Sequence, residues 1–246
     1  MINHLITICF LLSKNTMVGS LRFITDKNQQ QFVQWTVNDK EHIKNVLLPL
    51  LLKYPPLTSR IHFQLQFLIQ CINNNTVQNY IHTKNSKYNL QNNSFSLITN
   101  TSNLPPYFSN WLAGFIEAEG SFCIRNNKNY SFSIGQNHDQ YLIEAIKSFY
   151  SSKVKVQSKK ITFNAKHKNK NISNPNFYTI SFASIHDLFK VITHCKPLLQ
   201  GYKYQQMIEF LNKNPNLKIL SKLLMCHVVM LLWELNNYWT MLSVYL

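Results

Sequence analysis

The segment Trp111–Phe122, with the sequence WLAGFIEAEGSF, decides the fold of this chain. Its apolar residues have helical spacing and Gly120 follows Glu119, so we predict a helix that ends at Glu119. Gly114 and Ala118 lie four residues apart on one face, and small residues at this spacing let a second helix approach closely. A carboxylate at a helix C-terminus gains nothing from the helix dipole. Two interpretations of Glu119 stay open at this point, a solvated side chain after a buried helix or a ligand for a divalent cation.

The composition is that of a folded and strongly basic protein. Hydrophobic residues make up 45% of the 246 residues, enough to bury a core. Lys and Arg number 25 against 10 Asp and Glu, which gives a net charge of +15 and favours a polyanionic partner, nucleic acid first. The five cysteines are dispersed without a C-x-x-C pair, which argues against a disulfide framework or a zinc ribbon and fits a reducing compartment.

Two apolar stretches near the ends of the sequence are not predicted to span a membrane. Leu5–Leu12 is too short to cross a bilayer, and no basic segment precedes it. Ile219–Leu235 is interrupted by Lys222, His227 and Glu234, so we interpret it as a helix packed on protein. We therefore expect no membrane partner.

An Asn-rich segment divides the chain into two parts. Residues 73–104 hold few apolar anchors, and we predict a linker there. The periodicity of residues 105–218 predicts the order αββαββαα. The predicted elements are, in chain order, Trp111–Glu119, Ser121–Arg125, Tyr130–Gln136, a helix opening near Asn137, Lys153–Lys159, Phe177–Ala183, a helix capped by Ser184 and a helix from about Gln200. Residues 1–72 look like a partial copy that lacks an opening helix and two strands, and residues 219–246 form a divergent apolar tail.

One face of the predicted sheet is polar and cationic. Apolar residues alternate with hydrogen-bonding or basic residues along each strand, as expected for a sheet with one buried face. The second face carries Ser121, Cys123, Arg125, Ser131, Ser133, Lys153, Lys155, Gln157, Lys159, Thr179 and Ser181. Such side chains suit base edges and phosphates. A solvated face is the alternative, but the repetition over several strands and the positive charge favour contact with DNA.

Three phrases of the sequence resemble a known family. WLAGFIEAEGSF resembles the signature of the LAGLIDADG homing endonucleases, which are encoded within organellar introns. YPPLTSR at Tyr54–Arg60 is similar to the phrase that closes the family's first half, and PLLQGYKYQQ at Pro197–Gln206 to its second-half counterpart. The resemblance implies an α+β fold of two αββαββα half-domains that form a saddle over duplex DNA. The first half-domain is incomplete here, because residues 1–72 contain no counterpart of the motif helix.

The resemblance also implies roles for individual residues. Each motif helix of the family delivers one acidic residue to the cleavage centre, and in this sequence that residue is Glu119. The Ala118 carbonyl would be a supporting contact to Mg²⁺, and Gln136 matches a polar residue that orients solvent. Lys203, and Arg60 in the other half, match a basic position that stabilises charge on the phosphate. Glu117, the earlier acid of the motif, is expected to be a structural or solvated residue.

Three functions remain open for the sequence. The leading hypothesis is a site-specific, Mg²⁺-dependent endonuclease for double-stranded DNA that acts in intron homing, intact or degenerate. The alternatives are an RNA maturase that assists group I intron splicing, with intron RNA as partner, and a nucleic-acid-binding protein without cleavage activity. A homodimer or an upstream segment would supply the second motif helix. Because Asn, Lys, Ile, Tyr and Phe are served by AT-rich codons, their frequent use suggests an organellar gene, and we expect a mitochondrial location.

Overall fold

A computed structural model describes residues 18–25, 29, 31–74, 84, 86–89, 91, 95–124, 129–160 and 176–217. The chain divides between Leu97 and Ile98 into two compact units. This division falls inside the predicted linker. The apolar stretches Leu5–Leu12 and Ile219–Leu235 lie outside the described residues, as does the tail 219–246. No helix in the described ranges is long and apolar enough to cross a bilayer.

The first unit contains a hairpin followed by helices. Strands β1 (Ser20–Thr25) and β2 (Gln31–Thr36) pair antiparallel. A helical segment follows, with α1 (Lys40–His42), a π-helical turn (Ile43–Leu47) and α2 (Leu48–Lys53), and α3 (Ser59–Asn74) comes after it. These elements correspond to the predicted second half of a half-domain.

Described parts of the predicted linker pack on α3. Gln64 Nε2 donates a hydrogen bond of 2.8 Å to Tyr88 Oη, and Gln91 Nε2 donates one of 2.7 Å to Ser59 Oγ. The ring of Phe95 packs on Phe63, with centroids 4.7 Å apart. The described residues of the predicted linker that precede Leu97 therefore pack against the first unit.

The second unit has the predicted order αββαββαα. Its elements are α4 (Phe108–Glu119), β3 (Ser121–Ile124), β4 (Tyr130–Asn137), α5 (Gln140–Phe149), β5 (Gln157–Lys160), β6 (Asn176–Phe182), α6 (Ile185–Cys195) and α7 (Tyr202–Lys213). The strands form one antiparallel sheet in the order β3-β4-β6-β5. Ser184 caps α6 as predicted, since its Oγ accepts a 3.1 Å hydrogen bond from the Asp187 N–H.

The core of the second unit lies between one sheet face and the helices. Phe122, Phe132 and Phe182 are opposite one another across β3, β4 and β6, and all three are buried. Ile134 and Ile180 form the next buried row. Full burial of such side chains contributes about 1.5–3 kcal/mol each. This face holds the unit together, and the opposite face is left to polar residues.

The structure corrects the predicted third strand of the second unit. Of residues 153–160, only Gln157–Lys160 pairs with β6, and residues 153–156 precede the ladder without belonging to it. Val154 and Val156 are nevertheless half-buried while Lys153 and Lys155 are exposed. The alternating sequence predicts this difference in burial correctly. A segment can alternate in this way without a neighbouring strand to pair with. Strand β3 ends at Ile124, and Arg125 lies outside the described residues.

Candidate nucleic-acid interface

The antiparallel register brings the predicted contact residues to one face of the sheet. Ser121 lies opposite Ser133, which in turn lies opposite Ser181. Two further rows pair Cys123 with Ser131, and Gly135 with Thr179 and Gln157. We call this surface the polar face; it comprises Ser121, Cys123, Ser131, Ser133, Gln157, Lys159, Thr179 and Ser181. Because these rows alternate with the buried aromatic rows, polar-face side chains project away from the core.

The residues of the polar face differ in how free they are to make new contacts. Cys123, Gln157 and Lys159 are exposed. Thr179 Oγ1 donates a 3.1 Å hydrogen bond to the Ile134 carbonyl, so its hydroxyl is already used within the sheet. Ser131 is buried, at 5% exposure, in the wall of an open recess that Gln157 and Ser181 also line. The most accessible residues of the polar face therefore lie on the two edge strands, β3 and β5.

Cationic side chains extend the polar face at β5. Lys153 and Lys155 are exposed in the segment that leads into the strand, and Lys159 is exposed on the polar face itself. Lys160 is also exposed, but as the next residue along β5 it belongs to the opposite face. No acidic residue occurs between Glu144 and Asp187 in the sequence. A concentration of positive charge beside hydrogen-bonding groups is the arrangement that phosphates and base edges require.

Phe177 is a member of this face that the sequence reasoning missed. It lies opposite Lys159 on one side and Asn137 on the other, in register with the polar rows. Its ring covers Gly135, where a Cβ would come within 3.0 Å of Phe177 Cε1 and 2.8 Å of the Tyr178 carbonyl oxygen. The alternation of Phe177 with Thr179 and Ser181 was the available signal. The ring is half-buried and packs on the β4 backbone at Gly135, so it shapes the polar face without adding a hydrogen-bonding group.

The motif helix presents its last acid to solvent. Helix α4 ends at Glu119, and the Gly120 N–H donates a 2.9 Å hydrogen bond to the Ile116 carbonyl. Glu119 is exposed, and its carboxylate has no hydrogen-bond or ion-pair partner among the described residues. Gly114 and Ala118 are exposed as well, and a Cβ on Gly114 would meet nothing within 4 Å. The predicted packing face of the helix is thus uncovered in the part of the chain that the structure describes.

The earlier acid of the motif has a structural role. The Lys203 N–H, in the first turn of α7, donates a 3.1 Å hydrogen bond to Glu117 Oε1. Gly201, the N-cap residue of α7, has no side chain to accept such a bond. Glu117 therefore caps α7 from another helix, where its charge also suits the helix dipole. This contact brings the backbone of Lys203 to the last turn of α4, which contains Glu119.

The remaining predicted site residues have distinct positions. Lys203 is half-buried, and its Nζ donates a 3.2 Å hydrogen bond to Gln206 Oε1. Gln136 is half-buried and lies opposite Tyr178, on the helix side of the sheet with Ile134. It is therefore not part of the polar face. Arg60 is exposed in the first turn of α3, in the first unit.

The donor set at the end of α4 fits a hard cation. The Glu119 carboxylate is free, and Ala118 contributes a carbonyl from the last turn, where carbonyl groups lack helical partners. Mg²⁺ is typically held by one or two carboxylates, with water and substrate phosphate oxygens completing an octahedron. No group of three or more His, Cys, Asp or Glu side chains in the described ranges could hold a metal alone. A cation here would need oxygens from a further partner.

A solved structure identifies the fold class of the chain. The crystal structure of the I-SmaMI LAGLIDADG homing endonuclease bound to cleaved DNA matches the chain with a TM-score of 0.54. The match covers 85% of this chain and 72% of that chain, at 16% sequence identity. The fold is that of the LAGLIDADG homing endonucleases, and the predicted fold class is confirmed.

The names of the sequence relatives are consistent with this fold. A probable intron-encoded endonuclease aI3 from Debaryomyces hansenii is 36% identical over 234 residues, which cover 82% of this chain and 31% of that protein. A protein of the same name from Dictyostelium citrinum is 32% identical over 145 residues, 58% of this chain and 57% of that protein. These relatives and the fold support the resemblance to the LAGLIDADG homing endonucleases that the motif predicted. It spans from about a third to just over half of the length of these relatives. No protein-family model matches the chain.

Proposed function

We propose that this chain acts as a site-specific endonuclease for double-stranded DNA, of the intron-homing type, with a divalent cation as cofactor. The observation that carries the proposal is the free carboxylate of Glu119 at the end of the motif helix, in the same unit as a polar and cationic sheet face. The names of the relatives and the DNA in the related crystal structure support it. These names favour cleavage over RNA maturation. The intron-encoded relatives also support a mitochondrial location.

Each candidate residue has a chemical task in this proposal. Glu119 and the Ala118 carbonyl would hold Mg²⁺, which when bound polarises a phosphate and activates water. Gln136 would orient that water with its carboxamide. The Lys203 ammonium would stabilise the negative charge that develops on the phosphate. The polar face would fix the register of the duplex through Lys159 and the hydroxyl, thiol and amide groups along its rows, and Lys153 and Lys155 beside it would add phosphate contacts.

The uncovered face of α4 implies a second helix in the active assembly. Gly114 and Ala118 leave room for close helix packing, and a cleavage centre for two strands needs a second acid. A second copy of the chain, or another segment of the protein, would supply both. We propose the paired arrangement as the active form.

Cleavage of a library of duplex DNA tests the function. The purified chain is incubated with randomised duplexes and Mg²⁺, and the new ends are sequenced. We expect ends at one preferred sequence, and a rate that falls by about 100-fold or more in Glu119→Gln, because the charged ligand is lost. Glu144→Gln is the matched control, since among the described residues Glu144 pairs with Lys147 on the surface of α5.

The outcomes separate the alternatives. No cleavage by the wild type, with salt-dependent DNA binding intact, would leave only the binding function. Cleavage that Glu119→Gln does not slow would remove Glu119 from the centre. Rescue of intron splicing in vitro, unaffected by Glu119→Gln, would favour the maturase.

A further inference from the structure

Glu117 lies in a recess built from its surroundings. A Cβ on Gly201 would overlap its Oε1 atom and lie 2.9 Å from its Cδ atom, so position 201 leaves room for the carboxylate only as glycine. Its Oε2 atom is buried and has no hydrogen-bond partner among the described residues. A polar atom held this way costs desolvation free energy. The recess nevertheless holds the Glu117 carboxylate in one place, whereas a solvated glutamate side chain would not be held in this way.

The pKa of the Cys195 thiol responds to burial and also to the charge of Glu117. Burial raises the pKa of the Cys195 thiol to about 12, and the negative charge of Glu117 acts in the same direction. Cys195 is the last residue of α6 and is fully buried. Glu117 is thus hydrogen-bonded to α7 and lies close enough to the end of α6 for its charge to act on Cys195.

The hydrogen bond to Lys203 connects two candidate catalytic groups through the backbone. Glu117 and Glu119 share the last turn of α4, two residues apart, so a fixed Glu117 has a fixed relation to Glu119. Its Oε1 atom holds the amide of Lys203, and the Lys203 side chain starts from the same residue. The contact sets where the lysine side chain begins relative to the acid.

We propose that Glu117 is a positioning residue that fixes Lys203 relative to Glu119. The proposal rests on the proposed endonuclease function and gives Glu117 no contact with metal or DNA. Displacement of a catalytic group by about 1 Å can cost 100-fold in rate. The effect of losing Glu117 should therefore appear in the cleavage step rather than in binding.

Three variants separate the hydrogen bond from the rest of the contact. Glu117→Gln keeps an oxygen acceptor for the Lys203 N–H, and Glu117→Ala removes it. Gly201→Ala leaves Glu117 chemically intact but displaces it, because the new Cβ overlaps the carboxylate. The single-turnover rate at saturating DNA should fall by about 10- to 100-fold in Glu117→Ala and Gly201→Ala, and by less than about threefold in Glu117→Gln. The Kd for DNA should stay within about twofold in all three.

A double-mutant cycle tests whether the effect passes through the lysine. In a Lys203→Ala background, Glu117→Ala should add no further loss of rate. An equal loss in both backgrounds would overturn the proposal, as would a parallel loss of rate and affinity. A raised Mg²⁺ requirement in Glu117→Gln would make Glu117 a metal ligand and also overturn it.

Amide hydrogen exchange at Lys203 gives a readout that does not need cleavage. The wild type and Glu117→Gln should protect this amide, and Glu117→Ala should lose the protection by about 10-fold or more. Unchanged exchange in Glu117→Ala would refute the positioning contact even in an active enzyme. If the wild type cleaves nothing, the endonuclease proposal fails, while exchange at Lys203 still decides the contact. Thermal unfolding of each variant identifies one that does not fold, in which case Glu117→Gln and Gly201→Ala carry the comparison.

Discussion

His194 in α6 is hydrogen-bonded through Nε2 to the backbone carbonyl of Ser109 in the first turn of α4, with an N···O distance of 3.0 Å. A carbonyl only accepts, so Nε2 carries the proton in the neutral ring. Nδ1 lies 2.7 Å from Tyr150 Oη and can then accept from that hydroxyl. The neutral imidazole satisfies both partners and joins the motif helix to α5 and α6.

This geometry predicts a loss of stability in mild acid. Burial lowers the pKa of His194 in the folded chain below its usual value of 6.5. A depressed pKa stabilises the fold above the unfolded value, and this contribution is lost as the pH falls below about 6.5. Urea unfolding at pH 7.5 and pH 5 should show a smaller decrease in His194→Asn than in the wild type. Identical decreases would contradict this role.

His138 provides the control for that measurement. Burial lowers its pKa too, but its φ of 67° is a conformation that Asn tolerates. His138→Asn should therefore keep its backbone and remove only its own share of the pH dependence. The contributions of His138 and His194 to the pH dependence of stability should be additive, because the two side chains lie in different parts of the second unit.

Gly114→Ala should stabilise the second unit and weaken the assembly. An alanine in a helix interior is favoured over glycine by about 0.5–1 kcal/mol, and its Cβ meets nothing within 4 Å. The same methyl group would obstruct a helix that packs closely on this face. Chemical unfolding measures the first effect, and sedimentation and cleavage rate measure the second. A gain in stability without any loss of association or activity would show that no helix packs there.

Gly120→Ala is the contrasting substitution on the same helix. A Cβ at this position would lie 2.6 Å from the Ile116 carbonyl oxygen, which is backbone and cannot move aside. We therefore expect a loss of stability where Gly114→Ala gives a gain.

Gly135→Ala should destabilise the sheet by about 1–3 kcal/mol through overpacking. The new methyl group would collide with the Phe177 ring and with the Tyr178 carbonyl. Adding Phe177→Ala should relieve only part of this loss, because the carbonyl remains in place. Urea unfolding of both single variants and the double variant measures the coupling, and full additivity would place the Phe177 ring away from Gly135.

Affinity for DNA should decrease steeply with salt. Each lysine that neutralises a phosphate contributes about 0.9 to the slope of log K against log salt concentration. Lys153, Lys155 and Lys159 are exposed beside the polar face, so glutamine at each should lower the slope. Lys147→Gln is the matched control, because Lys147 pairs with Glu144 on α5. A slope that is unchanged in all three variants at Lys153, Lys155 and Lys159 would remove this surface from the interface.

The alternation of apolar and polar residues was sufficient to predict three of the four strands of the second unit, because one face is buried, but it placed the start of β5 four residues too early. The spacing of Ser184 and Asp187 was sufficient to predict the cap of α6, since that contact spans three residues. The contact between Glu117 and Lys203 joins residues 86 positions apart, and no local pattern contains it. The need for glycine at position 201 likewise follows only from the carboxylate that lies there. The sequence alone was enough to exclude Gln136 from the polar face, because Gln136 has the same parity along β4 as the buried Ile134.

The two faces of the sheet are chemically independent. The residues that hold the second unit together, such as Phe132 and Phe182, never share a side with Ser133 or Ser181. Mutations at accessible outward positions such as Cys123 and Ser133 can therefore accumulate without eroding the fold, whereas Gly135 in the same rows cannot change, because the Phe177 ring packs on it. Such a scaffold can drift from one target sequence to another during evolution, and a designer who wishes to retarget it can vary those accessible positions without repacking the interior.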